Sequence, residues 1–126
     1  MRTGTIEIDK KRYLLCFSAR VIRDCTERYG KLERIDEAMN DDDEAKMMDE
    51  CFWLLAQMMA AGAKYAAMEG LPNPEPLGCD DLYDLCSVDD MLDMKAHIME
   101  TISEGCRREI EVETEQGKNA QTTRTN

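Results

Sequence analysis

The sequence predicts an α+β fold in which an N-terminal β-hairpin is followed by four to five helices. Residues 5–17 alternate between polar and apolar side chains, as strands do, whereas later segments repeat apolar residues at helical spacing. The chain has 126 residues, of which 43% are apolar, and this size and composition are typical of one folded domain. We therefore expect a single domain over residues 1–110 and a polar, disordered tail over residues 111–126.

The two strands of the hairpin are predicted at residues 5–8 and 12–17, on either side of a polar turn. The turn contains Asp9, Lys10 and Lys11 and lacks the favoured glycine, which predicts either a loop longer than two residues or a strained turn. Because strand side chains alternate with a period of two, five apolar residues share one face. They are Ile6, Ile8, Tyr13, Leu15 and Phe17.

The other face of the hairpin carries Leu14 and Cys16, which are apolar at positions where solvent is expected. A two-stranded ribbon also has open edges that accept a strand from another chain. We therefore expect Leu14 and Cys16 to contribute to partner binding. We also expect the hairpin to pair or swap between copies of the chain in a homo-oligomer.

Two helices are predicted directly after the hairpin. Ser18 has the side chain of a helix N-cap, so the first helix is predicted to begin at Ala19. Gly30 supplies the left-handed residue that ends this helix. A short second helix is then predicted, and its apolar side consists of Leu32, Ile35 and Met39.

The longest helix is predicted over residues 44–69, after an acidic run that suits the positive end of a helix dipole. Its apolar stripe includes Met47, Met48, Met58 and Met59 and is wider than one packing face requires. Methionine fills irregular cores, and its flexibility also suits a surface that accepts several apolar shapes. Both interpretations stay open, and the second predicts partner binding by these four methionines.

The last part of the predicted domain contains a loop and two helices. Residues 70–78 hold all three prolines and predict an extended loop, and a short helix is predicted at residues 80–86. Ser87 and Asp90 resemble a capping box that opens a final helix. The apolar positions of that helix are Met91, Leu92, Ile98, Met99, Ile102, Cys106 and Ile110.

The formal net charge is −11, from 16 Lys and Arg against 27 Asp and Glu. So negative a surface repels phosphate, which argues against nucleic acid or an anionic membrane as the partner. Residues 1–34 contain nine basic and five acidic residues, whereas residues 35–126 contain seven and 22. Two explanations of this asymmetry stay open. The charges serve solubility alone, or they attract an oppositely charged partner or another copy of the chain.

The sequence contains neither a recognisable targeting segment nor a recognisable metal-binding or redox cysteine motif. No apolar core follows residues 1–5, and the longest apolar stretch, 51–63, is too short to cross a bilayer, so we expect no signal peptide and a cytoplasmic location. The cysteines form no CxxC pair, and we interpret them as reduced core residues rather than zinc ligands. They are Cys16, Cys25, Cys51, Cys79, Cys86 and Cys106.

No catalytic or metal motif is complete. The acidic residues 41–43 do not begin an EF-hand loop, because its sixth and twelfth positions would be Lys46 and Phe52. His97 is the single histidine, and with Cys86 or Cys106 it would form the pair of a thiol enzyme. We expect instead a surface or rim position for His97, no enzymatic activity, and neither a metal nor another cofactor.

Residues 6–20, IEIDKKRYLLCFSAR, resemble the opening of the small tail assembly chaperones of long-tailed phages and prophages. Those proteins begin with a strand, a Gly-Lys-x-Tyr turn, a second strand ending in Phe-Ser or Phe-Thr, and a helix. The resemblance spans about residues 5–110 and includes Tyr29-Gly30 and the Leu-Tyr-Asp-Leu segment at 82–85, although Lys10 replaces the glycine of the turn.

The resemblance implies a protein without catalytic residues that binds the tape measure protein and the tail tube protein in the host cytoplasm and is absent from the finished virion. We expect client contact at the hairpin and at the exposed part of the methionine-rich helix. One alternative is an acidic regulatory protein that sequesters a basic or DNA-binding partner by imitating phosphate charge, which the acidic region after residue 34 favours.

Overall fold

The computed structural model describes residues 2–102, with side chains from residue 3 onward. Two antiparallel strands are followed by five helices, which confirms the predicted α+β class. The elements are β1 (Arg2–Ile8), β2 (Lys11–Phe17), α1 (Ala19–Tyr29), α2 (Arg34–Met39), α3 (Glu44–Glu69), α4 (Cys79–Leu85) and α5, whose described part is 88–102. The predicted tail at 111–126, the domain boundary at 110 and the end of the last helix lie outside the described residues.

The hairpin has a two-residue turn, and both turn residues have left-handed backbone conformations. Asp9 has a φ of 51° and Lys10 a φ of 66°, so that Ile8 pairs directly with Lys11. Of the two predicted alternatives, the structure has the strained turn, because residues other than glycine disfavour positive φ. Pairing between Arg2 and Phe17 makes β1 three residues longer than predicted.

The apolar face of the hairpin packs onto the helices, as predicted. Leu15 is fully buried, and the other four predicted residues of this face are at most 6% exposed. They pack in one core with apolar side chains from every helix. The burial of this face explains how a lone two-stranded ribbon, which is marginal in water, is stabilised here.

The ends of the helices follow local signals in the sequence. Ser18 Oγ accepts a hydrogen bond from the N–H of Val21 at the start of α1, and Gly30 ends that helix. Asp43 accepts from the N–H of Lys46 at the start of α3, which confirms that the acidic run is a helix N-terminus. Ser87 and Asp90 exchange two hydrogen bonds at the start of α5, which confirms the predicted capping box.

Helix α3 lies at the centre of the fold and has the bounds that the sequence predicts. It contacts β2, α1, α2 and α4, so apolar side chains are buried on several of its sides. This central position explains the width of the apolar stripe. Most of the stripe, including Met58 and Met59, is buried within the chain, whereas Met47 and Met48 are half-buried.

Contact between α3 and β2 is close enough to exclude a side chain at one position. A Cβ atom added to Gly62 would overlap the carbonyl group of Leu14. The absence of a side chain at Gly62 therefore lets the helix backbone rest directly on the strand.

Helix α5 covers the core side of β1. The two elements are in close contact, because an ideal Cβ on Gly4 would lie only 2.8 Å from the Oγ1 of Thr101. Ile98 of α5 is completely buried. A hydrogen bond of 2.7 Å from Lys95 to the side-chain oxygen of Asn40 joins α5 to the end of α2.

Across the part of the chain that the structure describes, no helix combines the length and the hydropathy needed to cross a membrane.

Candidate functional site

The residues predicted to bind a partner occupy different environments. Cys16, Met58 and Met59 are at most 1% exposed. The prediction that Cys16 lies on a solvent-facing side of the hairpin is wrong, because other parts of the fold cover that face of β2. Met58 and Met59 are core residues of α3, and they do not belong to an exposed client surface.

Leu14, Met47 and Met48 are only half-buried, so the fold leaves part of each accessible. Both methionines pack against the core from the first turns of α3. Among the described methionines, Met68 is the most exposed, with 76% of its surface accessible near the end of the same helix. The methionine-rich helix therefore contributes mainly core packing, which is the first of the two interpretations that the sequence left open.

The outer edge of β2 is closed at its centre. The N–H of Leu14 points away from β1 and donates a hydrogen bond of 2.9 Å to Oδ1 of Asn73 in the proline-containing loop. The carbonyl group of the same residue faces Gly62 of α3. A strand from another chain therefore cannot pair with β2 at this point.

The outer edge of β1, in contrast, is left open by the residues that the structure describes. In an antiparallel pair, residues alternate between positions that hydrogen-bond across the ladder and positions whose N–H and C=O point outward. Leu14 points outward and pairs with Thr5, so Thr5 points outward on the opposite edge, as do Thr3 and Glu7. Within residues 2–102, no hydrogen bond reaches the main-chain groups of these three residues.

A cleft of about 310 Å³ runs along this open edge and is walled on the other side by α5. Five consecutive residues line it, of which Thr5 to Ile8 belong to β1 and Asp9 to the hairpin turn. Because their side chains alternate between two faces, such a lining means that the strand edge itself forms the wall. The remaining lining residues are Arg12, Cys86, Asp90, Asp93, Met94 and His97.

The cleft is acidic. Its lining includes four carboxylates against one arginine, and the exposed Asp93 and His97 lie one turn apart on the same side of α5. A site with this excess of carboxylates attracts ammonium or guanidinium groups and repels anions. His97 is exposed at the rim, as the sequence predicts.

The structure brings Cys86 and His97 into the same cleft, as the thiol-enzyme alternative requires. Burial, together with the negative charge of Asp90, raises the pKa of the Cys86 thiol to about 11. A thiol with so high a pKa is protonated near neutral pH and is a poor nucleophile. The cleft therefore does not activate Cys86, and Cys106 lies outside the described residues.

The cysteines otherwise behave as core residues. Cys16, Cys25 and Cys51 are buried, and burial is the main reason that the pKa of each thiol is raised. Cys79 is half-buried, like Cys86. No group of three or more His, Cys, Asp or Glu side chains is arranged to hold a metal ion between residues 2 and 102.

A second exposed feature lies at the junction of α4 and α5. Leu85, Val88 and Leu92 are 47%, 65% and 55% exposed, and the last two are one helical turn apart. The expectation that Leu92 packs together with Met91 among the apolar positions of the last helix is wrong, because Leu92 is exposed. The buried stripe is Met91, Met94, Ile98 and Ile102.

The helical spacing contains the signal that would have separated these residues. The buried apolar positions of α5 follow one another at intervals of three or four, whereas Leu92 is directly next to Met91 and therefore points to a different side. Residues 79–102 also contain seven Asp and Glu against a single Lys. The exposed apolar side chains thus lie in strongly acidic surroundings, and we name Leu85, Val88 and Leu92 the acidic-apolar surface.

A polar cluster joins α1 to α3 and is satisfied internally. Arg28 donates two hydrogen bonds to Glu50, of 2.8 and 3.2 Å, and the hydroxyl of Tyr29 donates a third of 2.6 Å. The guanidinium of Arg28 also lies 4.4 Å from the ring centre of Trp53. Because these groups already bind one another, we interpret the cluster as structural.

Comparison with known proteins does not assign this chain to a family. No family model, curated protein or solved structure matches this chain.

Proposed function

We propose that this protein is a tail assembly chaperone of a phage or prophage, which binds the tape measure protein and the tail tube protein in the bacterial cytoplasm while the tail forms. The acidic-apolar surface is the observation that carries the proposal. Exposed apolar side chains grouped on a surface mark protein-binding sites. The resemblance of residues 6–20 to this family supports the same function.

The physical requirements of such a chaperone are consistent with this arrangement. A client prone to aggregation is bound through apolar contact, and the bound complex stays dissolved because like charges repel. Val88 and Leu92 supply apolar contact area, and the acidic residues of 79–102 supply the negative charge. The half-buried Leu14, Met47 and Met48 remain further candidates for client contact.

Co-expression with the tape measure protein of the same genome tests the proposal. The wild-type chain should raise the soluble yield of the tape measure protein at moderate salt. Leu92→Glu places a charge on the acidic-apolar surface and should remove most of this effect, since Leu92 is exposed and the fold does not depend on it. Ala19→Glu is the matched control, because it adds the same charge at an exposed position on α1.

Two results would count against a chaperone. One is a soluble yield that does not change when the wild-type chain is present. The other is an equal effect of Leu92→Glu and Ala19→Glu, which would mean that net charge rather than apolar contact determines the yield.

The acidic regulatory protein is the second candidate, and the net charge of −11 favours it. A partner held by charge alone should bind tightly at low salt and be released at about 0.5 M NaCl, because screening limits the range of charge interactions to a few ångströms there. A client held by apolar contact should remain bound at that salt concentration. Measuring the complex at both salt concentrations therefore separates the two functions.

A further inference from the structure

We infer that the cleft between β1 and α5 binds an extended polypeptide segment that carries Lys or Arg, and that this segment pairs with the outer edge of β1 as a third strand. The inference deepens the proposed function, and it rests on that function only for the identity of the polypeptide. The open edge of β1 and the carboxylates of the cleft carry it.

The first step concerns hydrogen bonding. Thr3, Thr5 and Glu7 direct their main-chain N–H and C=O groups away from β2, and Thr5 and Glu7 line the cleft. An added strand lies about 4.8 Å from its neighbour and bonds to such outward groups, which is the recognition mode called β-augmentation. The edge of β2 is closed by Asn73, so β1 is the edge of the hairpin that is available.

The second step concerns the shape of the site. Helix α5 runs beside β1 in the opposite direction, because Thr101 lies at Gly4 whereas Asp90 lines the cleft together with Ile8 and Asp9. A strand added to β1 would lie beside it in the plane of the hairpin, next to the side of α5 that carries Asp90, Asp93 and His97. Its alternate side chains would face α5, and the others would face away from it.

The third step concerns charge. Asp90 and Asp93 of α5 line the cleft, together with Glu7 of β1 and Asp9 of the hairpin turn. Lys or Arg side chains of the added strand that face α5 would lie close to Asp90 and Asp93, whereas Asp or Glu there would be repelled. This charge complementarity selects a basic segment over an acidic one.

Fluorescence anisotropy with the full-length chain tests the inference. The probe is the fluorescein-labelled peptide SKVRVKS, which alternates basic and apolar residues. We expect saturable binding at 50 mM NaCl. The peptide SEVEVES reverses the charge, and SKPRPKS keeps the charge but removes main-chain donors and disfavours strand pairing. Both should bind at least fivefold more weakly.

Variants of the protein locate the binding site. Asp93→Lys should weaken binding of SKVRVKS at least fivefold, because it reverses a charge on the α5 wall. Asp89→Lys is the matched control, since Asp89 is exposed on the same helix and does not line the cleft, and it should change the affinity less than twofold. Thr5→Pro removes one outward N–H without removing a bond of the β1–β2 ladder, and it should also weaken binding at least fivefold.

Amide hydrogen exchange of the free chain gives an independent readout. The outward amides of Thr3, Thr5 and Glu7 should exchange fast in the free chain and slowly with SKVRVKS bound. Slow exchange without peptide would overturn the inference, because the edge would already be covered by this chain or by a second copy. Equal binding of SKVRVKS and SKPRPKS, or no binding of SKVRVKS, would overturn it as well.

The two proposals fail separately. If SKVRVKS does not bind but the tape measure protein is still kept soluble, the cleft is not the basic-strand site and the chaperone function stands. If SKVRVKS binds as expected but the soluble yield of the tape measure protein does not change, the chaperone function fails and the cleft remains a strand-binding site.

Discussion

Oδ1 of Asn73 accepts a hydrogen bond of 2.9 Å from the main-chain N–H of Leu14, although 59 positions separate the two residues in the sequence. The bond anchors the proline-containing loop to the hairpin and closes the edge of β2. It leaves β1 as the side of the hairpin on which another strand can add.

Replacing Asn73 should destabilise the fold. Asn73→Ala leaves a partly buried N–H without its acceptor, which should lower the free energy of unfolding by about 1–2 kcal/mol. Urea denaturation followed by circular dichroism measures the change. Glu75→Ala, at an exposed position of the same loop, is the control and should have little effect. Equal stability of the two variants would mean that the edge is not held by Asn73.

The contact between Gly62 and Leu14 predicts a larger effect. Gly62→Ala adds a methyl group that overlaps the backbone of β2, so α3 and the hairpin must separate. The free energy of unfolding should fall by about 3 kcal/mol, the upper end of the usual cost of overpacking. Lys64→Ala, at an exposed position on the same helix, should change stability by less than about 0.5 kcal/mol. Thermal denaturation of both variants checks this, and a Gly62→Ala variant as stable as the wild type would contradict the contact.

The turn of the hairpin predicts a stabilising substitution. Lys10 has a φ of 66°, a conformation that glycine adopts without steric cost. Lys10→Gly should raise the free energy of unfolding by about 0.5–1 kcal/mol, because relief of strain outweighs the added freedom of the unfolded chain. Lys11→Gly should lower it by a similar amount, since Lys11 lies inside β2. A destabilising effect of Lys10→Gly would show that the turn is not strained.

The Glu50 cluster predicts a dependence of stability on pH. Burial raises the pKa of Glu50, but the hydrogen bonds from Arg28 and Tyr29 and the charges of Arg28 and Lys46 together lower it by more, so the pKa in the folded protein lies below the ordinary value. The stabilisation is therefore complete above the unfolded pKa of about 4.3 and is lost as the pH falls through the folded pKa.

Glu50→Gln measures this contribution. At pH 7 it should lower the free energy of unfolding by about 1–2 kcal/mol, and the difference from the wild type should shrink as the pH falls below about 4. Glu69→Gln, at the exposed end of the same helix, should show neither effect. Urea titrations at several pH values provide the test, and a difference that is constant down to pH 2.5 would contradict the linkage.

The elements of the fold could be predicted because their signals are local. Ser18, Gly30 and Asp43 each act within one helical turn, and they set the ends of α1 and α3 at the residues predicted. The burial of one hairpin face follows from the period of two in the same way. These features depend on near neighbours in the sequence, which periodicity and capping rules describe well.

The candidate site could not be predicted, because it depends on contacts between distant residues. The sequence alone does not show that Asn73 closes β2, or that α5 lies beside β1. Cys16 and Met59 were expected at a binding surface because they are apolar in excess of one packing face. In the structure several elements surround α3 and β2, so the excess is buried.

The contact between Gly4 and Thr101 joins the first described strand to the last described helix. During translation, the hairpin leaves the ribosome long before α5 is complete, so the core side of β1 has no cover for most of that time. Final closure of the structure must therefore await late synthesis, and a ribosome stalled before residue 88 would hold a nascent chain in which Ile6 and Ile8 lack the cover that α5 provides. Cellular chaperones and proteases would meet the nascent chain in that interval.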